Sequence, residues 1–287
     1  MQKTLKSIGN QTFQDYEIIL TDDTPDDAVK NLIETFNFHN RLKYFKNKEK
    51  LGSPENWNEA VRRARGEYIK IMHHDDWFVD ENSLEKFVKI LDDNGDADFG
   101  FCPSIVQSAK DEKTRIHDVT PTQLALLKNE PTAIFYGNII GSPSATIYRR
   151  EVNIFFDKNL KWLVDIDFYI RILGQNSPFA FYPQPLMVTT TDAEHSVTND
   201  CINHKEVEIF EYLYLFHRIK DDIPSKRMNK YRATLGDPII RHRIKSLREI
   251  RDCGYHAAVP EFIKLLIQLN KFLPPSYRKI LHIIMRV

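Results

Sequence analysis

Two short apolar runs in the first third of the chain each end on a pair of carboxylates, with helical patterns between them. Tyr16-Glu17-Ile18-Ile19-Leu20 stops at Thr21-Asp22-Asp23, and Gly66-Glu67-Tyr68-Ile69-Lys70-Ile71-Met72 stops at His73-His74-Asp75-Asp76-Trp77. Thr4 to Ile8 reads as the last turns of a helix before the first run. Pro25-Asp26-Asp27 opens a helix to about Phe36, its acidic first turn matched to the helix dipole. Leu42 to Phe45 is a second short strand. Ser53-Pro54-Glu55 starts a helix in which Trp57, Ala60, Val61 and Ala64 recur at helical spacing, closed by Arg65-Gly66. This alternation is the pattern of a largely parallel sheet flanked by helices. Strands that share a direction deliver both acidic pairs to one carboxyl edge, where open α/β folds bind their ligands.

Farther along, Glu81 to Leu91 reads as a helix, Ala97 to Val106 as a strand and Ser108 to Asp118 as a polar loop. Gly137 to Tyr148 mixes glycine, serine and apolar residues in the manner of a substrate-facing strand and turn. Asp165 to Gly174 is helical, with Ile166, Tyr169, Ile170 and Leu173 forming its apolar stripe, and Phe179 to Thr191 is a final strand. After Ser196 the pattern is helical, interrupted at Gly254 and Pro274-Pro275.

The chain has 287 residues, enough for one large domain or a domain with an appendage. No run approaches the roughly 18 apolar residues of a membrane span, and no secretory signal opens the sequence. Cys102, Cys201 and Cys253 lack metal-ligand or redox spacing, which suits a reducing, cytoplasmic setting. The formal net charge is zero, yet from Arg218 onward 16 Lys and Arg stand against 6 Asp and Glu. A basic helical tail on an acidic body suggests an anionic partner such as the inner face of a membrane, touched peripherally. Phe262-Ile263, Leu265-Leu266-Ile267, Ile280-Leu281 and Ile283-Ile284 interleave with Lys264, Lys271, Arg278 and Lys279 in that tail, as on an interfacial amphipathic surface. Packing of the tail on the rest of the protein is the competing expectation.

Adjacent carboxylates at a strand end present hard oxygen ligands that suit a divalent cation beside a phosphate-bearing substrate. A solvated turn uses the same residues and is the rival reading. A second acidic strand end at the same edge favours a ligand site over two unrelated turns.

Taken in order, the motifs resemble those of family 2 glycosyltransferases. The resemblance rests on Ser7-Ile8-Gly9-Asn10-Gln11-Thr12-Phe13 followed by the strand to Asp22-Asp23, and on Gly52, Asn56, Asn58 and Ala60. It continues through Ala64-Arg65-Gly66-Glu67-Tyr68-Ile69 into the Asp75 cluster, and through Phe156-Asp157 to Asp165-Ile166-Asp167-Phe168-Tyr169-Ile170-Arg171. It covers roughly residues 4 to 198. It implies a GT-A-type α/β fold, a mostly parallel mixed sheet flanked by helices, with a C-terminal helical extension. The implied division is a catalytic domain over 1–198, with a nucleotide-binding half to about 106 and an acceptor half over 107–198, and a helical extension over 199–287.

The same resemblance implies inverting transfer from a nucleotide-sugar, a UDP-sugar first among candidates, to a glycan or lipid-linked acceptor of the cell envelope. Asp165 is then the base that deprotonates the acceptor hydroxyl, and Asp75 holds Mn²⁺ or Mg²⁺ against the departing diphosphate. Asp22 and Asp23 contact the nucleoside, Asp76, His74 and Arg65 contact the donor, and His195 is a late metal-contacting residue. Arg171, four residues after Asp167, is expected to form a local helix salt bridge. No nucleic-acid partner is expected.

Two departures stand out. The family usually carries a carboxylate where His73 stands, which leaves the metal's identity open. Members also begin with an apolar strand and a nucleotide-contacting turn upstream of the first helix. Met1 falls inside that helix, so the sheet is expected to lack a central strand, as in a chain whose start is misplaced or shortened. Two other functions stay open: a non-catalytic sugar-nucleotide or glycan-binding protein, and a sugar nucleotidyltransferase, which usually has a glycine-rich phosphate loop not visible here.

Overall fold

The computed structural model describes residues 1–175, 178–192 and 201–272. Helix α1 (Gln2–Gly9) leads to β1 (Ile18–Asp22), α2 (Ala28–Ile33), β2 (Leu42–Lys46) and α3 (Glu55–Arg63). Strands β1 and β2 pair in parallel, Ile18 opposite Leu42 and Asp22 opposite Lys46, as a two-stranded unit. Leu5, Ile33 and Phe38 form its core, with Ile18, Leu20 and Leu42 packed against them. Gln11 pins the turn after α1: its amide donates to the carbonyls of Ser7 and Asp80 (3.0 and 2.8 Å) and its oxygen accepts from Leu84 N (2.8 Å).

The chain then builds β3 (Tyr68–Ile69), β4 (Trp77–Phe78), α4 (Ser83–Asp92), β5 (Phe99–Phe101), β6 (Ser104–Ser108) and β7 (Thr114–His117). There follow α5 (Pro121–Asn129), β8 (Thr146–Arg149), α6 (Val164–Leu173), β9 (Phe179–Phe181) and β10 (Met187–Thr191). One four-stranded sheet has the order β3-β8-β5-β9, and the other β4-β10-β6-β7. The pairs β5–β9 and β6–β10 are parallel, and the remaining pairs of these two sheets are antiparallel. The architecture is therefore mixed α/β, with sheets flanked by helices. Among the described residues, strand β1 pairs with β2 alone and β3 with β8 alone, so β1–β2 stands apart from the sheet that contains β3.

Three sequence expectations change. The single strand expected over Ala97–Val106 is two strands in different sheets, because Pro103, lacking an N–H, falls between them. Pro183 and Pro185 likewise split Phe179–Thr191 into β9 and β10. The loop expected over Ser108–Asp118 contains β7, which pairs with β6 as an exposed hairpin arm. Helix α5 has a readable start: Thr120 and Gln123 form a capping box, with Pro121 at the first helical position.

Helices α7 (Lys205–Ile219), α8 (Met228–Arg241), α9 (Leu247–Asp252) and α10 (Glu261–Phe272) complete the described chain. They share one apolar core with the β3-β8-β5-β9 sheet, continuous from Ile69 and Phe99 through Tyr169 and Leu213 to Ile267. No helix among the described residues is long and apolar enough to cross a membrane.

Candidate active site

Beyond Ile69 the backbone leaves the sheet, and residues 70–76 form an extended turn carrying the acidic cluster. Its first residue is a lysine inside the protein. Lys70 donates to the carbonyls of Ser144 and Ile71 (3.1 Å for Ile71), and its Nζ lies 4.4 Å from the Phe87 ring centroid. Burial pushes its pKa down to about 7. The lysine ties the exit of β3 to the segment that precedes β8.

His73, Asp75 and Asp76 follow, and one ligand atom from each lies within 4.8 Å of the others. Asp76 is buried and fixed: its carboxylate accepts from Thr190 N (3.0 Å) and Ser142 Oγ (3.4 Å), with His73 Nδ1 at 3.7 Å. Burial raises its pKa, against the pull of the His73 imidazole. The Asp75 backbone carbonyl accepts from Thr190 Oγ1 (2.6 Å), and its side chain is half-buried. His73 stacks on Trp57 at 4.9 Å, its N–H donates to Ser144 Oγ (3.0 Å), and its Nε2 is buried with no protein partner. The donor set, one imidazole and two carboxylates, matches what a borderline divalent ion such as Mn²⁺ takes. Helix α1 flanks the cluster, with Thr4 Oγ1 donating to His74 O (2.6 Å).

The other acidic pair is linked to this cluster through the start of α3. Asp23 accepts from Asn47 Nδ2 (2.6 Å), Leu51 N (3.2 Å) and Gly52 N (2.7 Å). Asn47 also donates to Asn56, next to the Trp57 that stacks on His73. Asp22 corrects an expectation. It is buried and already accepts four hydrogen bonds, from Thr24 N, Thr24 Oγ1, Tyr44 Oη and Lys46 Nζ, which fill the capacity of a carboxylate. Burial raises its pKa, but the four donors outweigh it and hold the carboxyl below the usual range. Asp22 therefore ties β1 to β2 and has no site left for a nucleoside. Asp23 keeps one free position on Oδ2.

Arg65 is a second correction. Its N–H and that of Gly66 donate to Glu17 Oε1 (2.5 and 3.2 Å), just before β1. Six residues of extended chain, about 20 Å, separate Glu17 from Asp23, so Arg65 lies at the opposite edge from the acidic cluster. There it lines a shallow cleft with Lys43, Arg62 and Arg63. His74 is exposed beside the cluster. His195, expected as a metal contact, lies outside the described residues.

Asp165 sits in the first turn of α6, half-buried. Asn138 Nδ2 donates to its Oδ2 and Ile166 N to its Oδ1, both at 2.9 Å. Burial pushes its pKa up to about 6, and those hydrogen bonds moderate the rise. Asp167 instead faces Arg171 (2.8 Å to Nε), the local pair its spacing implies, and Arg218. The segment 138–144 joins the two halves of the site: Asn138 reaches Asp165, Ser142 reaches Asp76, and Ser144 holds His73 and Lys70. Sequence reading marked this stretch as substrate-facing, but Asn138, Ser142, Lys70 and Thr190 individually carried no signal beyond residue type.

A half-buried carboxylate of raised pKa, joined by one loop to a three-residue cluster that suits a metal, can deprotonate a hydroxyl beside a bound diphosphate. Residues 1–155 match the family model "Glycosyl transferase family 2". The chain belongs to glycosyltransferase family 2. It is 27% identical over 182 residues to an uncharacterized glycosyltransferase of Methanocaldococcus jannaschii, which covers 62% of this chain and 61% of that protein. This family 2 chain thus spans about three-fifths of the length of that relative. The structure of S. aureus TarS 1–349 in complex with UDP-GlcNAc superposes with a TM-score of 0.60 at 17% identity, covering 99% of this chain and 84% of the other. The mannosyltransferase PcManGT of Pyrobaculum calidifontis, in complex with GDP-Man and Mn²⁺, gives a TM-score of 0.55 at 16% identity, over 99% and 81%. These likenesses show the fold, which is of the GT-A type.

Proposed function

We propose that this chain is an inverting glycosyltransferase that moves a sugar from a nucleotide donor, a UDP-sugar first among candidates, to a hydroxyl of a glycan or lipid-linked acceptor. The observation that carries the reading is Asp165, a carboxylate with a pKa near 6 joined through residues 138–144 to the His73–Asp75–Asp76 cluster. Asp165 accepts the acceptor proton as the acceptor oxygen attacks the anomeric carbon, and the nucleoside diphosphate departs from the opposite face. Asp75 would hold the divalent ion, flanked by Asp76 and His73, and a bound ion would supply neutralisation of the leaving diphosphate. Asp23 accepts from the base of the nucleoside, and His74 lies at the rim of the donor side. One structural neighbour in complex with GDP-Man and Mn²⁺ and another with UDP-GlcNAc support donors and ions of these classes.

The same reading divides the chain into a catalytic domain over 1–198 and a helical extension over 199–287. It gives the extension a peripheral contact with anionic membrane: on α10, Leu265 and Phe272 are 60% and 81% exposed beside Lys264 and Lys271. The decisive variant is Asp165→Asn, assayed with UDP-, GDP- and dTDP-sugars. Loss of transfer with donor binding retained is the expected result, and wild-type turnover would remove the base assignment.

A further inference from the structure

Helix α7 lies outside the motifs that define the family resemblance, yet it presents three polar side chains on one face to the segment that carries Asp165. Glu211 is buried, 2% exposed, and is the first of the three along the helix. Its carboxylate accepts three successive backbone N–H groups: Lys161 (2.7 Å), Trp162 (3.0 Å) and Leu163 (2.8 Å). These amides immediately precede α6, where unpaired N–H groups converge and the helix dipole favours a negative charge. One turn on, Tyr214 Oη donates to Asp157 Oδ2 (2.8 Å). A further turn on, Arg218 pairs with Asp157 (2.5 Å) and Asp167 (3.3 Å). The three side chains recur at i, i+3 and i+7, the spacing of one helix face.

The first turn of α6 has no side-chain cap of its own, since Leu163 occupies the N-cap position. Without an external acceptor, the buried Leu163 N–H and the half-buried Trp162 N–H would lose their partner just ahead of the residue that must meet the acceptor hydroxyl. We infer that Glu211 is a positioning residue for the transfer reaction, a carboxylate supplied by the C-terminal helices that holds the chain entering α6 and sets the place and direction of Asp165. This rests on Asp165 being the base. The extension then takes part in the chemistry through the catalytic helix, in addition to any contact with an acceptor or membrane. The charge of Glu211 also adds to the upward shift of the Asp165 pKa, behind burial.

The test compares three variants of the full chain. Glu211→Gln keeps the volume but replaces one acceptor oxygen with a donor that faces backbone N–H groups. Glu208→Gln, one turn earlier on α7, removes another buried carboxylate, whose partners are the Asn203 N–H and Arg241 and His242 on and just after α8, away from α6. Glu211→Asp keeps the charge and withdraws it by one methylene, and it serves if Glu211→Gln does not fold. A misplacement on the order of 1 Å at a reacting group costs about 10- to 100-fold in rate. The inference predicts a loss of that size in kcat for Glu211→Gln or Glu211→Asp, with the donor KM within about twofold of wild type. It also predicts that the acid limb of kcat moves to lower pH in Glu211→Gln, where the repelling charge is gone. Glu208→Gln should lose thermal stability and keep kcat. Wild-type kcat in either Glu211 variant, or an equal kcat loss in Glu208→Gln, overturns the inference. If Asp165→Asn is inactive while Glu211→Gln turns over normally, only the positioning role falls. If Asp165→Asn turns over normally, the base assignment falls and this inference with it.

Discussion

Asn138 offers the sharpest probe of the base. Its Nδ2 donates to Asp165 Oδ2 at 2.9 Å, and a hydrogen bond of this kind stabilises the carboxylate over the protonated acid. Hydrogen bonds to charged groups contribute about 1.5–3 kcal/mol, and Asn138 is only half-buried, so the lower end applies. That is about one pKa unit, since a unit corresponds to 1.36 kcal/mol. Asn138→Ala should therefore move the Asp165 pKa from about 6 toward roughly 7. At pH 6 the ionised fraction falls from about one half to about one tenth, so kcat at that pH drops roughly fivefold beyond any change seen at high pH. At pH 8.5 both proteins hold an ionised base, and the ratio of their kcat values reports only loop geometry. This control is needed because Asn138 Oδ1 also accepts from Gly141 N (2.9 Å). The assay is kcat against pH from 5 to 9 under saturating donor and acceptor. An acid limb that stays in place, or moves to lower pH, refutes the argument that this hydrogen bond holds the base ionised.

Two further outcomes follow from the packing around the site. Burial lowers the Lys70 pKa to about 7, so between there and its ordinary value the unfolded chain binds more protons than the folded one. The cost of burying the ammonium is thus fully present below about pH 7 and is relieved as pH rises toward 10. Lys70→Met should melt above wild type at pH 6, by roughly 2–4 °C per kcal/mol gained, with the gap shrinking by pH 9. A gap that widens with pH would contradict this. Gly141 has φ +93°, and a Cβ there would lie 3.0 Å from His117 Cδ2. Gly141→Ala should cost roughly 1–2 kcal/mol in stability and lower kcat by displacing Asn138 and Ser142, read by thermal melts and initial rates. Unchanged values of both would show that the loop tolerates the shift.

Much of the site was legible in the sequence because it rests on local patterns. The strand end at Asp22-Asp23 and the helix at Asp165 declare themselves through periodicity and residue type, whereas the strand expected to run on to Asp75 leaves the sheet after Ile69. What periodicity cannot supply is the set of tertiary partners. Asp22 looked like a ligand contact as much as Asp23 did, and only the four donors from Thr24, Tyr44 and Lys46 reveal it as a tie between strands. Arg65 sat in a family-like motif, but its N–H is bound to Glu17, and the length of β1 separates Glu17 from Asp23. Glu211 lies about 50 residues from the amides it caps, a pairing that no window along the chain contains. The prolines at 103, 183 and 185 were visible signals, and weighting them against the apolar runs around them would have divided β5 from β6 and β9 from β10.

The central claim is that Asp75 anchors a divalent ion for a nucleotide-sugar at this edge. Free Mn²⁺ measured by electron paramagnetic resonance, titrated into protein with and without UDP, tests it directly. Wild type should take up about one ion per chain, more tightly when UDP is present. Asp75→Asn should weaken that uptake about tenfold or more, while Glu17→Gln, at the opposite end of β1, should leave it unchanged. Equal Mn²⁺ uptake by wild type and Asp75→Asn would contradict the account.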